Sequence, residues 1–260
     1  MLDLPQIESY FPEPLRAFKR NLLREYLHYK LLEIIYDSKL GNRLAFLGGT
    51  AIHIVHGAPR FSEDLDFDDR GMSEGDFRSL ERLVKSGMEM QGYPVETAAV
   101  SRAARRIIVR FPGLFHLYGL STNPREKLHL HIDAEPQRFD YRPEAVLIDK
   151  FDVFGRILVT PSDLLLAQKI ACLFTRPRTM GRDVFDALFL WGKTRPRLSY
   201  LSDRLGIRGG QELRSRLIER CRELDFDRLA DEVEPFLFRP GDAAKVKFFP
   251  DFVNSREFGE

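Results

Sequence analysis

Residues 44–69, LAFLGGTAIHIVHGAPRFSEDLDFDD, decide the fold. Four apolar residues, Leu44 to Leu47, run into Gly48-Gly49, and Thr50 then opens a segment with helical spacing. A polar loop follows, and after it a second strand carries alternating acids. Gly48 and Gly49 let the backbone turn tightly, and the free N–H groups of a helix start favour bound phosphate. In the acidic strand Asp64, Asp66 and Asp68 share one face while Leu65 and Phe67 point into a core, because strand side chains alternate with period two. Carboxylates crowded on one face repel each other unless cations lie between them, and magnesium suits an oxygen-only site. A Gly-Gly turn alone is ordinary, and so is an acidic strand end. Their fixed order, with Arg60 and Ser62 leading into the acids, points to the handling of nucleoside triphosphates.

Outward from this stretch the pattern is that of an α+β protein with a mixed sheet. Residues 14–37 carry apolar side chains at helical spacing, predicting an amphipathic helix with His28 in a structural place. Residues 73–90 predict a second helix, with Ser73 as N-cap and Asp76 three residues on as a capping-box variant. Residues 92–100 and 105–111 are strand-like; in the second, Arg106, Ile108 and Arg110 alternate with Ile107, Val109 and Phe111. Residues 127–134, KLHLHIDA, form the cleanest strand, with Leu128, Leu130 and Ile132 on one face and His129, His131 and Asp133 on the other.

That polar face allows two readings. His129-x-His131-x-Asp133 is a possible transition-metal set, which would suit a hydrolase. Alternatively Asp133 is the third carboxylate of a two-magnesium site, since adjacent strands lie only ~4.8 Å apart and paired ions ~3.5–4 Å apart. On the residues alone both readings stand. His53 and His56, three apart on a helix, lack a third ligand.

Residues 142–160 are hard to read except for a final strand at 154–160. Pro161 then closes a first domain, 1–160, and Ser162 is expected to cap a helix that begins a helical domain, 161–260. Lys169 and Arg176 are two turns apart if that helix extends so far. Arg182, Asp183, Asp186 and Trp191 fall in the next helix, and 197–205, 210–224 and 226–237 keep helical periodicity. Residues 238–260 have no period and read as an ordered tail or a partner-binding arm. Net charge is +1, but Arg102, Arg105, Arg106 and Arg110 cluster, as do Arg176, Arg178 and Arg182, and such patches can hold phosphates. No apolar run reaches bilayer length, the first residues lack a signal peptide's pattern, and Cys172 and Cys221 read as reduced core residues. A cytoplasmic enzyme without a membrane segment is expected.

GGTA at 48–51 followed by R-x-S-x-D-L-D-F at 60–67 resembles the nucleotidyltransferase signature of the DNA polymerase beta superfamily. More narrowly it is similar to the AbiEii branch, the toxins of type IV toxin–antitoxin systems, and to their MenT-like relatives. Lys169, Arg176, Arg182, Asp183 and Asp186 resemble the family's last motif, K-x-x-A-x-x-x-R with R-D-x-x-D; Ala171, two residues after Lys169, departs from it. The resemblance implies a polymerase-beta-like domain followed by a helical bundle. It implies metal ligation by Asp64, Asp66 and Asp133, with two Mg2+ ions and an NTP substrate. Gly48, Gly49 and Thr50 would cradle phosphates beside Arg60 and Ser62. Lys169, supported by Arg176 or Arg182 and oriented by Asp183 and Asp186, would neutralise pyrophosphate. It further implies transfer of a nucleotide to the 3′ end of tRNA, blocking translation, and a cognate antitoxin, either a DNA-binding repressor or a kinase that phosphorylates a serine such as Ser62. The competing expectations are a same-fold enzyme that modifies a protein or small molecule, and a catalytically idle binding module.

Overall fold

The computed structural model describes residues 1–101, 105–256 and 258. Its contacts divide the chain into two compact units, residues 1–51 with 61–160, and residues 52–60 with 161–260. The first is built on a seven-stranded mixed sheet of order β3-β4-β5-β2-β1-β7-β6. The strands are β1 (Leu44–Leu47), β2 (Leu65–Asp69), β3 (Glu96–Ser101), β4 (Arg105–Pro112), β5 (Lys127–Glu135), β6 (Glu144–Lys150) and β7 (Val153–Val159). β1 runs antiparallel to β2 and parallel to β7, and β2 runs parallel to β5. The hairpins β3–β4 and β6–β7 and the antiparallel pair β4–β5 complete it.

Register explains the two faces. Leu65 pairs with Ile132, Ile107 with Ile132, Val109 with Leu130 and Phe111 with Leu128, so one face of β2, β5 and β4 is continuously apolar and buried. Helix Glu74–Met90 covers it with Phe77, Leu80, Val84 and Met88, starting at a full Ser73–Asp76 capping box. The opposite face carries Asp66, Asp133, Arg106, His131, Arg110 and His129. Alternation at period two therefore separates core from site within the same strands.

Helix Lys19–Tyr36 differs from the amphipathic expectation. Leu22, Leu23, Tyr26, Leu27, Leu31, Leu32 and Ile35 are all buried, and so are Glu25, His28 and Lys30 on other faces. It is a central helix enclosed on nearly every side, with its charges matched: Lys30 to Glu33 at 2.7 Å and Glu25 to Lys150 at 2.7 Å. It meets the second helix where Gly87 has no side chain, since a Cβ there would fall 2.8 Å from Ile34.

The second unit holds helices Ser162–Thr175, Gly181–Trp191, Leu198–Leu205, Gly210–Cys221 and Phe226–Val233. Pro161, rather than Ser162, is the N-cap of the first, and that helix ends before Arg176, whose backbone is extended. The described residues from 238 on are more regular than expected, with short helical turns at Pro240–Ala243 and Ala244–Lys247 and a helix at Phe249–Ser255. Residues 52–60 join this unit through an Arg60–Leu237 bridge and a Phe238 N–H that donates to the Pro59 carbonyl. Among the described residues, no helix is long and apolar enough to cross a membrane.

Candidate active site

In the first unit β1 ends where helix Gly48–His56 begins, and the break is made by Gly48 at φ +77°. A Cβ at that position would be left-handed and would also lie 2.9 Å from the Asp66 carboxyl carbon. Glycine thus lets the helix start approach the acidic strand closely. Gly49 and Thr50 are buried, and the Thr50 hydroxyl donates to the Asp64 carbonyl, tying the helix start to the entry of β2. The Thr50 side chain is therefore committed, which leaves the backbone N–H groups of the helix start as this turn's donors.

The carboxylates sort into two classes. Asp66 and Asp133 are direct register partners on parallel neighbours β2 and β5, with Asp64 one residue before β2. Asp68, which alternates onto the same face, is withdrawn: it is buried and accepts from Tyr141 OH at 2.8 Å and Gln137 N at 2.8 Å. Asp64 Oδ1 lies 2.9 Å from His131 Nδ1 and accepts from the His131 N–H. Both oxygens of Asp133 receive Arg106, from Nε at 2.6 Å and Nη2 at 2.7 Å. That hydrogen bonding raises the Arg106 pKa above the ordinary guanidinium value against partial desolvation, with the charges of Asp133, Asp64 and Asp66 adding to it. A cavity of about 490 Å³ opens here, lined by Asp66, Arg106 and Asp133 together with Leu47, Ile108 and Gln137.

Hard oxygen donors on register-paired strands, beside a glycine that keeps the space clear, suit a divalent cation of the magnesium type. The guanidinium that sits among these charges is a natural stand-in for one. As the side chains lie, however, no group of three or more His, Cys, Asp or Glu is gathered closely enough to hold an ion among the described residues. His129 is pushed below the ordinary histidine range by desolvation and by the charges of Arg110, His131 and Lys127. Ser62 is half-buried, two residues before Asp64.

The second unit gathers a different cluster. Arg60 is 1% exposed and makes two 2.6 Å hydrogen bonds to Asp186, from Nε and Nη2. Lys169 Nζ stands 2.9 Å from Asp183 and 2.9 Å from Asp186. Burial alone would lower the Lys169 pKa, but Asp183 and Asp186 more than reverse it, so the ammonium stays charged. Arg176 reaches Asp183 at 3.3 Å from an exposed position, while Arg182 stacks on Phe236 at 4.9 Å. Arg60, which the sequence reading sets beside the nucleotide, is enclosed here against Asp186 on helix Gly181–Trp191. Arg105 is bound to Asp69, and Arg102 lies outside the described residues. The pairing of Arg106 with Asp133 has no signature in the sequence, because it depends on the register of β4 against β5.

A family model described as nucleotidyl transferase AbiEii toxin, type IV TA system, matches residues 30–252. Among solved structures, JHP933 from Helicobacter pylori is 19% identical with a TM-score of 0.54, over 90% of this chain and 91% of that one. An antigenic nucleotidyltransferase-like protein from Paracoccidioides brasiliensis is 17% identical with a TM-score of 0.46, over 84% of this chain and 92% of its own. The first likeness shows a shared fold. No curated protein sequence matches the chain.

Proposed function

The chain belongs to the AbiEii family of nucleotidyltransferase toxins of type IV toxin–antitoxin systems, and from that premise we propose that it transfers a nucleoside monophosphate from an NTP to the 3′ end of tRNA. The register pair Asp66–Asp133 is the observation that carries this reading. In the reaction the acceptor 3′-hydroxyl oxygen bonds to the α-phosphorus, the bond from that phosphorus to the bridging oxygen breaks, and pyrophosphate leaves. Two magnesium ions held by Asp64, Asp66 and Asp133 would favour loss of the hydroxyl proton and stabilise charge on the leaving oxygen.

The chain's own groups supply the rest. The turn at Gly48, Gly49 and Thr50 offers backbone N–H groups to the β- and γ-phosphates. The family resemblance gives Lys169 the role of neutralising pyrophosphate as negative charge builds in the transition state; in this chain its ammonium stands 2.9 Å from Asp183 and 2.9 Å from Asp186. Arg106 and Arg110 on the sheet face suit an RNA phosphate backbone, which is recognised by charge and shape. A capped tRNA end cannot be aminoacylated, so translation stops.

Family membership implies an antitoxin. A repressor-type partner and a kinase-type partner differ at Ser62, where a phosphate next to the acids would repel the incoming triphosphate. A Ser62→Ala toxin that its antitoxin still neutralises excludes the kinase type. The central experiment incubates the protein with each NTP, magnesium and tRNA, followed by sequencing of the RNA ends. Labelled NMP on tRNA that is lost with Asp66→Asn supports the reading; label on protein or small molecules alone redirects it to another acceptor.

A further inference from the structure

We propose that Arg106 is a built-in cation surrogate that a divalent metal must displace from Asp133, and that the displaced guanidinium then takes a phosphate of the substrate. The inference rests on the nucleotidyltransferase reading and assigns a positioning role to a residue outside the motif acids. Arg106 takes one lone pair on each Asp133 oxygen, at 2.6 and 2.7 Å, and its positive charge repels a second cation there, so a metal that binds Asp133 does so in competition with Arg106. The pair is placed to open. The Arg106 side chain is 48% exposed, so water competes for the guanidinium and offsets part of the bidentate attraction.

A divalent ion shared by Asp66 and Asp133 carries twice the charge of the guanidinium and needs no side-chain ordering of its own length. Arg106 cannot travel far once released. It is rooted in β4 opposite Asp133 and lines the same cavity of about 490 Å³. The planar fork that fits a carboxylate also fits a phosphate, so the released group turns from Asp133 to the nearest phosphate oxygen. Metal occupancy and phosphate binding become coupled: each favours the state in which Arg106 is off Asp133. That coupling would keep the carboxylates neutralised between turnovers and make the site complete only when metal and substrate are both present.

The test uses the whole chain and does not read turnover. Mn2+ binding is followed by electron paramagnetic resonance, without nucleotide, for the parent, Arg106→Ala, Arg110→Ala and Asp66→Asn, with circular dichroism to confirm folding. Removal of the competitor should tighten Mn2+ binding in Arg106→Ala by up to about fivefold, leave Arg110→Ala at the parent value, and abolish binding in Asp66→Asn. At saturating Mn2+, a non-hydrolysable NTP analogue and an RNA oligonucleotide are titrated separately. The probe whose phosphate Arg106 takes should bind Arg106→Ala about tenfold more weakly, and Arg106→Lys should recover part of that loss. Equal Mn2+ affinity in parent and Arg106→Ala overturns the surrogate role while leaving the transferase reading intact. Undiminished binding of both probes overturns the phosphate step. Absence of Mn2+ binding in the parent and in Arg106→Ala alike overturns the surrogate and the metal site together.

Discussion

Asp66 and Asp133 stand directly opposite one another on two strands that run in the same direction, β2 and β5. Parallel neighbours in register place their side chains on one face at the inter-strand spacing of ~4.8 Å, the distance at which two carboxylates repel unless something positive lies between them. Nothing in core packing calls for that arrangement, because Leu65, Phe67, Ile132 and Ala134 supply the buried face of the same strands. Replacement of either acid by asparagine keeps shape and removes charge. Asp66→Asn and Asp133→Asn are each expected to lower nucleotidyl transfer by ~10²–10³ or more while shifting stability by about 0.5 kcal/mol or less. Single-turnover assays with labelled NTP, set beside urea titrations, check both halves. Loss of activity that merely tracks unfolding would reject the catalytic assignment.

Gly48 tests how tightly the helix start must approach those acids. Gly48→Ala forces a side chain into the left-handed region, at a cost of about 1–2 kcal/mol, and pushes the Asp66 carboxyl group aside. The expected result is a destabilised but folded protein with a disproportionate loss of NTP binding. Alanine at Gly57, which also has positive φ but has open space around it, is the control: it should carry the strain without the loss of binding.

Much of this architecture is legible in the sequence, and the exceptions share a cause. The alternation of 127–134 is readable because its even positions are all apolar and all buried, and Ser73 announces its helix through a side chain that caps it locally. β6 is not readable. Of its residues only Ile148 is buried, so an edge hairpin leaves no clear period in the pattern. Residues 238–260 hide their short helices because each turn is too brief to show a repeat. In the site, the acids and glycines are local signals, whereas Arg106 on Asp133 and Arg60 on Asp186 are products of long-range pairing. An arginine looks alike in sequence whether it lies on a solvated face, on a carboxylate or inside a core. Arg60, which the sequence reading sets beside the nucleotide, is 1% exposed and paired with Asp186.

That burial separates Arg60 from Arg176 energetically. Arg60→Ala leaves the Asp186 charge short of its bidentate partner in a fully buried place, and loss of one member of such a pair costs about 3–5 kcal/mol. Arg176→Ala removes an exposed partner of Asp183 and should change stability by less than about 1 kcal/mol. Chemical denaturation of the two variants gives the comparison. Similar small effects from both would contradict the enclosed geometry of Arg60.

The same cluster sets a pH dependence with a definite sign. Burial pushes Asp186 toward higher pKa, but Arg60 and Lys169 outweigh it, so its folded pKa lies below the ordinary carboxylate value. A carboxyl group lowered by folding contributes stability that is fully present above its unfolded pKa of about 3.9 and is lost as pH falls through the folded value. Lys169 is shifted upward, with Asp183 and Asp186 overcoming burial. Its contribution is fully present below the unfolded lysine pKa of about 10.4 and is lost as pH rises through the folded value. Between these limits the cluster adds no slope to stability against pH. Lys169→Met should therefore flatten the alkaline limb of the parent's stability profile, and Asp186→Asn the acid limb, each relative to its own value at pH 7. Guanidinium titrations from pH 3 to pH 11 measure both limbs. A parent profile whose acid limb is unchanged in Asp186→Asn would show that Asp186 is not the carboxylate held ionised by Arg60 and Lys169.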